Sequence, residues 1–560
     1  MLLLHQLKKH NMNAKGLLKK LMLSASIAVA SFAANAGTVN VSGDITVNTT
    51  WTKNNEYLLN GFIYVKNGAT LTIEPGTLIK GDKASKATII VTRTGKINAA
   101  GTAAEPIVFT SNQPAGSRAP GDWGGIILLG NAPENFKDTT SLSPLTIVQK
   151  DGVIEGGVDN AAGDGKFGGT NPADNSGVLS YVRIEFPGVA FQPNNEINGL
   201  TMGGVGSGTT LNHIQISYSG DDSYEWFGGT VNADHLIAFR GTDDDFDTDN
   251  GFGGKVQFGV SFRDAGISDL AAGGASNGFE SDNDAGGSSN TPVTAAVFSN
   301  MTIIGPRENS GTDLTGQNFK RGAHIRRNSR QSIFNSLFVG FPTGLYIDGS
   351  AAQTNVTNGD LNFKYNTFAG CPKMEKAYDS AFVANAANNI SLLAATTDAQ
   401  LTAPYNAAAP NAVPATGSPV LSGADFTNAK LTSGFTTVTY RGAFGANDTW
   451  ANSWTNLDPQ NTTYAAPTSI EDVASLNAIQ VTPNPSAGVA TLTLSVTQTS
   501  TVAIALFDIS GRNVKTIAEE TIASGQHQFT INATDLNNGV YFVKTQIGTE
   551  SKTQKLVLNK

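Results

Sequence analysis

A single cysteine, Cys371, and six histidines are all that 560 residues offer of thiol and imidazole chemistry. One thiol excludes an intramolecular disulfide framework, and its distance from the N-terminus excludes a lipid-modified first residue. Charge is scarce: 15% of residues are Asp, Glu, Lys or Arg, against about 25% in ordinary globular domains. What charge there is tilts acidic, with 37 basic and 46 acidic side chains and a formal net charge of −9. Nucleic acid is therefore excluded as a partner, because phosphate binding demands a net basic footprint. No phosphate loop, Ser-His-Asp order or Cys-His zinc spacing is present. No transmembrane segment is expected either, since no apolar run reaches the roughly 20 residues needed to span a bilayer.

The N-terminus carries an address. Lys15, Lys19 and Lys20 precede an uncharged apolar run, Leu21 to Ala34, and Ala34-Asn35-Ala36 follows as a cleavage site. Residues 1–36 read as a secretory signal peptide, with the mature chain starting near Gly37. Translation from Met12 gives a signal of more usual length. Its removal takes away five lysines and no acids, moving the formal charge from −9 to −14.

Gly is abundant at 61 residues, and short runs rich in Val, Ile, Phe and Thr recur between Gly and Asn. His213–Asp222 and His235–Asp244 repeat at a spacing of 22 residues, with Val256–Asp264 following, and Phe62–Ile73 and Thr88–Ala99 lie 26 apart. Such periods mark a solenoid. The fold class expected is all-β: a right-handed parallel β-helix over residues 37–370, then a small C-terminal β-sandwich. Serial sandwiches, the competing reading, need regular hairpin turns that are sparse here. Asn300, Asn335 and Asn366 read as stacked turn asparagines. Asn389–Ala395 and Thr396–Leu401 read as helix-like, and residues 371–468 as a looser cap and linker whose aromatic end, Tyr440–Trp450 with Trp454, covers the open end of the coil.

Seven candidate strands, Ala478–Thr482, Ala490–Val496, Val502–Asp508, Val514–Glu519, Gln526–Asn532, Val540–Gln546 and Thr553–Leu558, alternate apolar and polar residues between turn signals. Within them stand Pro483-Asn484-Pro485, Asp508-Ile-Ser-Gly-Arg512, Leu536-Asn-Asn-Gly-Val-Tyr541 and the terminal Lys555-Leu-Val-Leu-Asn-Lys560. Together these resemble the type A C-terminal sorting domain of type IX secretion system cargo. The resemblance covers residues 469–560 and implies export to the outer cell surface, handling by the secretion machinery and its sortase, and possible attachment to surface lipopolysaccharide. The residues it singles out as sorting signal are Pro483, Pro485, Asp508, Gly511, Arg512, Gly539, Tyr541, Lys555 and Lys560. Without that resemblance the module reads as an ordinary adhesion sandwich. Gly121-Asp-Trp-Gly-Gly125, Tyr224-Glu-Trp-Phe-Gly-Gly229 and Arg441-Gly-Ala-Phe-Gly445 resemble secreted, pectin-lyase-like β-helix proteins that carry the same sorting domain. That implies a fold and an address but no catalytic residues.

The sharpest chemical signal is Thr242-Asp-Asp-Asp-Phe-Asp-Thr-Asp-Asn-Gly251. In extended chain it puts Asp243, Asp245, Asp247 and Asp249 on one side. At the coil period Asp221 and Asp222 stack over Asp243 and Asp244, Glu225 over Asp247, and Glu280, Asp282 and Asp284 add a third cluster. Carboxylates about 4.8 Å apart repel by about 3–4 kcal/mol at an effective dielectric of 20, so a compensating cation is expected. Ca2+ is the candidate cofactor, held by six to eight oxygens, although a solvated acidic face is the simpler alternative. The basic run Lys320, Arg321, Arg326, Arg327 and Arg330 reads either as ion pairs to these carboxylates or as a patch for anionic glycans. Trp226 and Tyr224, with Phe227, are candidates for stacking on sugars. His213 and His235 repeat at coil spacing, which favours a structural stack. The reading is a secreted, surface-delivered β-helix that binds calcium and glycans or other surfaces. The alternative is a polysaccharide lyase or glycoside hydrolase on the same scaffold, although the Gly-His-Gly and Arg-Ile-Lys motifs of β-helix glycosidases are missing.

Overall fold

In the computed structural model of the chain, residues 37–139, 147–192, 195–464, 479–496, 499–547 and 550–560 are described. The expected signal peptide and the expected domain boundary near Ser469 lie outside them. The chain divides into two compact units, residues 1–467 and 468–560.

The first unit is a parallel β-helix. Nine short strands, from Phe62–Val65, Thr88–Val91, Gly125–Leu129 and Leu200–Gly203 through Tyr224–Phe227, Phe246–Asp249, Phe279–Ser281, Arg321–Ile325 and Thr343–Ile347, lie side by side in chain order. Every pairing is parallel, the signature of a coil in which each turn stacks on the one before. An 18-stranded sheet forms the remaining walls. The spacings read from the sequence are strand registers: Phe62 pairs with Thr88, and Leu211 with Ala233. Alternating residues fill the interior, where Ile89, Ile126, Leu200, Tyr224, Phe246 and Phe279 belong to one continuous apolar core.

Seven successive coils bend at an equivalent residue with left-handed backbone: Tyr181, His213, His235, Phe258, Asn300, Asn335 and Tyr365, with φ of 50°, 50°, 54°, 60°, 56°, 50° and 58°. Asn tolerates that conformation, which explains Asn300 and Asn335. Asn366 is one residue too late: the bend falls on Tyr365, and Asn366 instead donates to the Ile333 carbonyl and accepts from Ser336 N–H. The helices are also not where the sequence suggested. Gly349–Thr357 and Ala377–Ala384 are α-helical, whereas Ser391–Leu393 is a strand paired with Thr367–Ala369 and Thr396–Ala399 is one 3-10 turn.

The aromatic segment near 440–454 corrects a further expectation. Instead of covering the end, residues 404–464 run back along the flank of the coil as a strap. Arg441 is buried and donates to the Asn366, Asn389 and Gly423 carbonyls, Gln257 exchanges bonds with Thr436, Gln215 exchanges bonds with Asn456, and Tyr464 donates to Glu185. Trp450 and Trp454 sit against His235 and His213 on this flank.

The second unit packs a three-stranded antiparallel sheet against a four-stranded one around Leu492, Leu494, Val502, Ile504, Leu506, Ile531, Val543 and Leu556. Its scattered motifs converge on the terminal strand Glu550–Leu558. Asn484, between Pro483 and Pro485, donates to the Lys555 carbonyl and accepts from Val557 N–H, while Lys560 N–H donates to Asn538 and its Nζ to the Thr534 and Leu536 carbonyls. Tyr541 braces the same turn by donating to the Asn537 carbonyl. Asp508 accepts from Ser510 and Arg512, which closes a self-contained turn around Gly511 and holds the Asp508 carboxyl down at about 2. Among the described residues no helix is long and apolar enough to cross a membrane.

Candidate functional site

The outer face of the nine-stranded sheet holds the acidic residues, because alternation sends every second side chain away from the core. Along one column of paired positions run Thr201, Glu225, Asp247, Glu280, His324 and Tyr346. The predicted stacking of Glu225 over Asp247 is thus a direct register pair. In the turn entering these strands, Asp244 N–H donates to Asp222 at 2.7 Å and Asn277 N–H to Asp244 at 2.5 Å. Donor oxygens of Asp222, Glu225 and Asp247 lie within 4.8 Å of one another, as do those of Asp221, Asp222 and Asp243.

Burial pushes the carboxyls of Asp221, Asp222, Glu225, Asp243, Asp244 and Asp247 well above their ordinary range, and each is raised further by its acidic neighbours. Asp249, half-buried in the next column, is pushed up to about 8 by burial and then by Asp282. Among the described residues no Lys or Arg forms an ion pair with the clustered carboxylates. One Asp247 oxygen is buried without a hydrogen-bond partner, and so is the Thr201 hydroxyl at the end of the column.

Several predicted members stand elsewhere. Asp245 does not join Asp243, Asp247 and Asp249: regular alternation starts only at Phe246, and Asp245 lies at 0% exposure against Arg263, whose Nε donates to it at 3.1 Å. Asp282 accepts from Arg326 at 2.8 Å and Arg327 at 2.7 Å, and Glu280 pairs with Arg326 and, at 3.4 Å, with His324. Asp284 caps its own turn by accepting from Gly286 and Ser288. Arg330 lies 3.6 Å from Asp360. Arg321 lies 3.5 Å from Glu375 and covers the Tyr346 ring at 5.0 Å. Tyr224 and Trp226 are not a sugar platform: both are 0% exposed, Tyr224 OH donating to the Ile214 carbonyl at 2.7 Å. The alternation that turns Glu225 outward turns them in.

Two residues escaped the sequence reading. Asn198 donates to both Glu225 and Glu155, bringing Glu155 into the acidic cluster from the long connection between Leu129 and Leu200. Asn198 was within reach, since stepping back one coil from Asp222 leads to it. Glu155 lies in a non-repeating insertion and left no signal. The lone Cys371 is half-buried against the apolar core, and burial pushes its thiol up to about 12.

The stacked parallel coil with an open outer face defines a class, and comparison with protein families agrees with it. Residues 43–455 match the pectate-lyase-like β-helix domain, and the chain belongs to that family. Residues 480–559 match the secretion system C-terminal sorting domain, so the protein is type IX secretion cargo with a β-helix passenger. No curated protein matches the chain. Among solved structures, the crystal structure of the Dettilon tailspike protein aligns with 51% of this chain and 62% of its own, less than two thirds, at 11% identity and a TM-score of 0.19. A similarity that low carries no argument about either fold detail or ligand.

Proposed function

We propose that the open part of the outer face is a calcium-dependent surface for glycans or similar extracellular polymers. The observation that carries this reading is a split in charge compensation. Glu280 and Asp282 are neutralised by Arg326 and Arg327, whereas Asp221, Asp222, Glu225, Asp243 and Asp247 converge without a direct ion pair to any Lys or Arg among the described residues. Like charges at coil spacing repel by about 3–4 kcal/mol at an effective dielectric of 20. A hard divalent cation offsets that repulsion, and an all-oxygen donor set suits calcium. Asp222, Glu225 and Asp247 would hold it, flanked by Asp221 and Asp243, with the orphan Asp247 oxygen and Thr201 hydroxyl as additional donors. Bound calcium would supply a positive centre that attracts carboxylate or hydroxyl groups of a glycan. Three strands further along the column, Tyr346, stacked 5.1 Å from His324 and flanked by Arg321, supplies the aromatic and guanidinium surface that Tyr224 and Trp226 do not.

Delivery through a cleaved N-terminal signal, removal of the sorting domain by the sortase and attachment to surface lipopolysaccharide complete the reading. Deleting Lys555–Lys560 should leave the protein in the periplasm. The lyase alternative lacks an observation of its own, since Arg326 and Arg327 are occupied by carboxylates rather than free to act as bases.

The test is a panel of anionic and neutral glycans with the exported protein. Binding should require calcium and disappear on chelation and in the Asp222→Asn, Glu225→Gln, Asp247→Asn triple variant. Binding indifferent to chelator removes calcium from the account, and release of reducing ends or unsaturated uronates replaces the binder with an enzyme.

A further inference from the structure

His213 and His235 lie away from the acidic face, at the left-handed bend of adjacent coils. Their rings stack 4.5 Å apart at an interplanar angle of 9°, between Tyr181 at 4.3 Å from His213 and Phe258 at 5.2 Å from His235. Tyr181 and Phe258 show that the stack itself needs an aromatic ring, not a nitrogen. The two coils that carry imidazole are also those whose preceding residues, the register partners Asn212 and Asp234, place an oxygen against the ring. His213 Nδ1 is 3.1 Å from Asn212 Oδ1, and His235 Nδ1 is 2.5 Å from Asp234 Oδ1. One donor atom from each of His213, His235 and Asp234 lies within 4.8 Å of the other two.

We propose that His213, His235 and Asp234 form a second metal site, separate from the acidic face, for a borderline divalent ion such as Zn2+, Ni2+ or Cu2+. With metal–nitrogen bonds of about 2.0–2.1 Å, two imidazole nitrogens about 3.3 Å apart share one tetrahedral ion. Neighbouring strands, about 4.8 Å apart, bring in-register imidazoles close to that reach, and a turn of one ring about Cβ–Cγ supplies the rest. Two imidazoles and one carboxylate select this class of metal over calcium, which prefers oxygen alone.

The site is accessible. The His235 and Asp234 side chains are 23% and 49% exposed, and they open on a cleft of about 540 Å³ that also borders Asn212, Lys255, Gln257 and Phe435. The cleft leaves a coordination position for water or an exchangeable ligand. Across the rings lie Trp450, 4.9 Å from His235, and Trp454, 5.8 Å from His213. Both belong to the strap, so their indoles stand close enough to report on a bound ion.

The test uses the full chain purified without a histidine tag, stripped of metal and held in saturating calcium so that the acidic face is occupied. Titration with Zn2+ should give one tight ion per chain, and Cu2+ should quench tryptophan emission through Trp450 and Trp454. His213→Phe and His235→Phe preserve the aromatic stack and should melt like the wild type. Each should weaken Zn2+ binding by about 100-fold, the upper end of what even an outer-shell change costs. Should the Phe variants misfold, Asp234→Asn, on a half-exposed side chain, reads the same site and should weaken binding about tenfold. Unchanged Zn2+ affinity in a folded His235→Phe or Asp234→Asn chain overturns the proposal. So does a wild type that binds no Zn2+, or loss of the site in His324→Phe instead.

Discussion

The outer face of one nine-stranded sheet is two surfaces. Over the early coils Tyr64, Ile90, Ile127 and Leu129 point outward, and Ile154, Val158, Phe167 and Ile197 of the long insertion cover them as a second apolar cluster. Over the later coils the same column becomes Glu225, Asp247, Glu280, His324 and Tyr346. Backbone and register are shared, so the difference lies wholly in side chains: one half contributes stability by removing apolar surface from water, the other concentrates charge at a cost. Asn198, with Glu155 on one side and Glu225 on the other, marks the seam. A fold that spends burial on one half of a face can carry unfavourable chemistry on the other.

The contrast can be broken most violently at Ile127. Ile127→Asp places an unpaired charge under the insertion and should cost about 3–5 kcal/mol, the range for an uncompensated buried charge, giving a large drop in melting temperature or no folded protein. On the open half the compensation itself can be removed. Arg326→Met strips Glu280 and Asp282 of a shared partner and should destabilise the calcium-free protein by about 2 kcal/mol, with calcium restoring part of the loss because the freed carboxylates can then bind it. A denaturant titration with and without chelator reads both terms.

The pH dependence separates the halves next. Carboxyls whose folded pKa is raised bind protons better in the folded chain than in the unfolded one, so calcium-free stability is greatest at acid pH and falls as pH rises. The decline should run from about 4, the unfolded carboxyl range, up through the folded value of about 8 for Asp249. Saturating calcium should flatten it. Leu129 sits in the apolar patch with Ile90, Ile127 and Phe167, so Leu129→Val removes no titrating group and should lower the curve without tilting it. The smallest effect is expected at Asp247→Asn, which should raise calcium-free stability by about 1 kcal/mol, the water-screened end of its repulsion from Glu225 and Glu280, because Asp247 is partly exposed.

Much of this was legible in the sequence because a solenoid converts spacing into contact. The 22-residue interval between Glu225 and Asp247 is a strand register, and reading the interval amounts to reading the pair. Parity was harder. Tyr224 and Trp226 flank Glu225, and composition does not say which of the alternating sets faces inward; the partners Phe246 and Phe279 settle it by filling the core. Asp245 misled because alternation holds only within a strand, and it sits just before one. Glu155 and the strap were invisible for a different reason: contacts such as Gln215 with Asn456 or Arg118 with Thr462 join segments far apart in sequence that share no period.

The central claim is that the uncompensated carboxylates await calcium, and thermal unfolding of the exported protein in chelator and in calcium tests it most directly. At calcium about 100 times its dissociation constant the wild type should gain about 2.7 kcal/mol, and the Asp222→Asn, Glu225→Gln, Asp247→Asn variant should gain nothing. Identical unfolding of the wild type in calcium and in chelator would contradict the account.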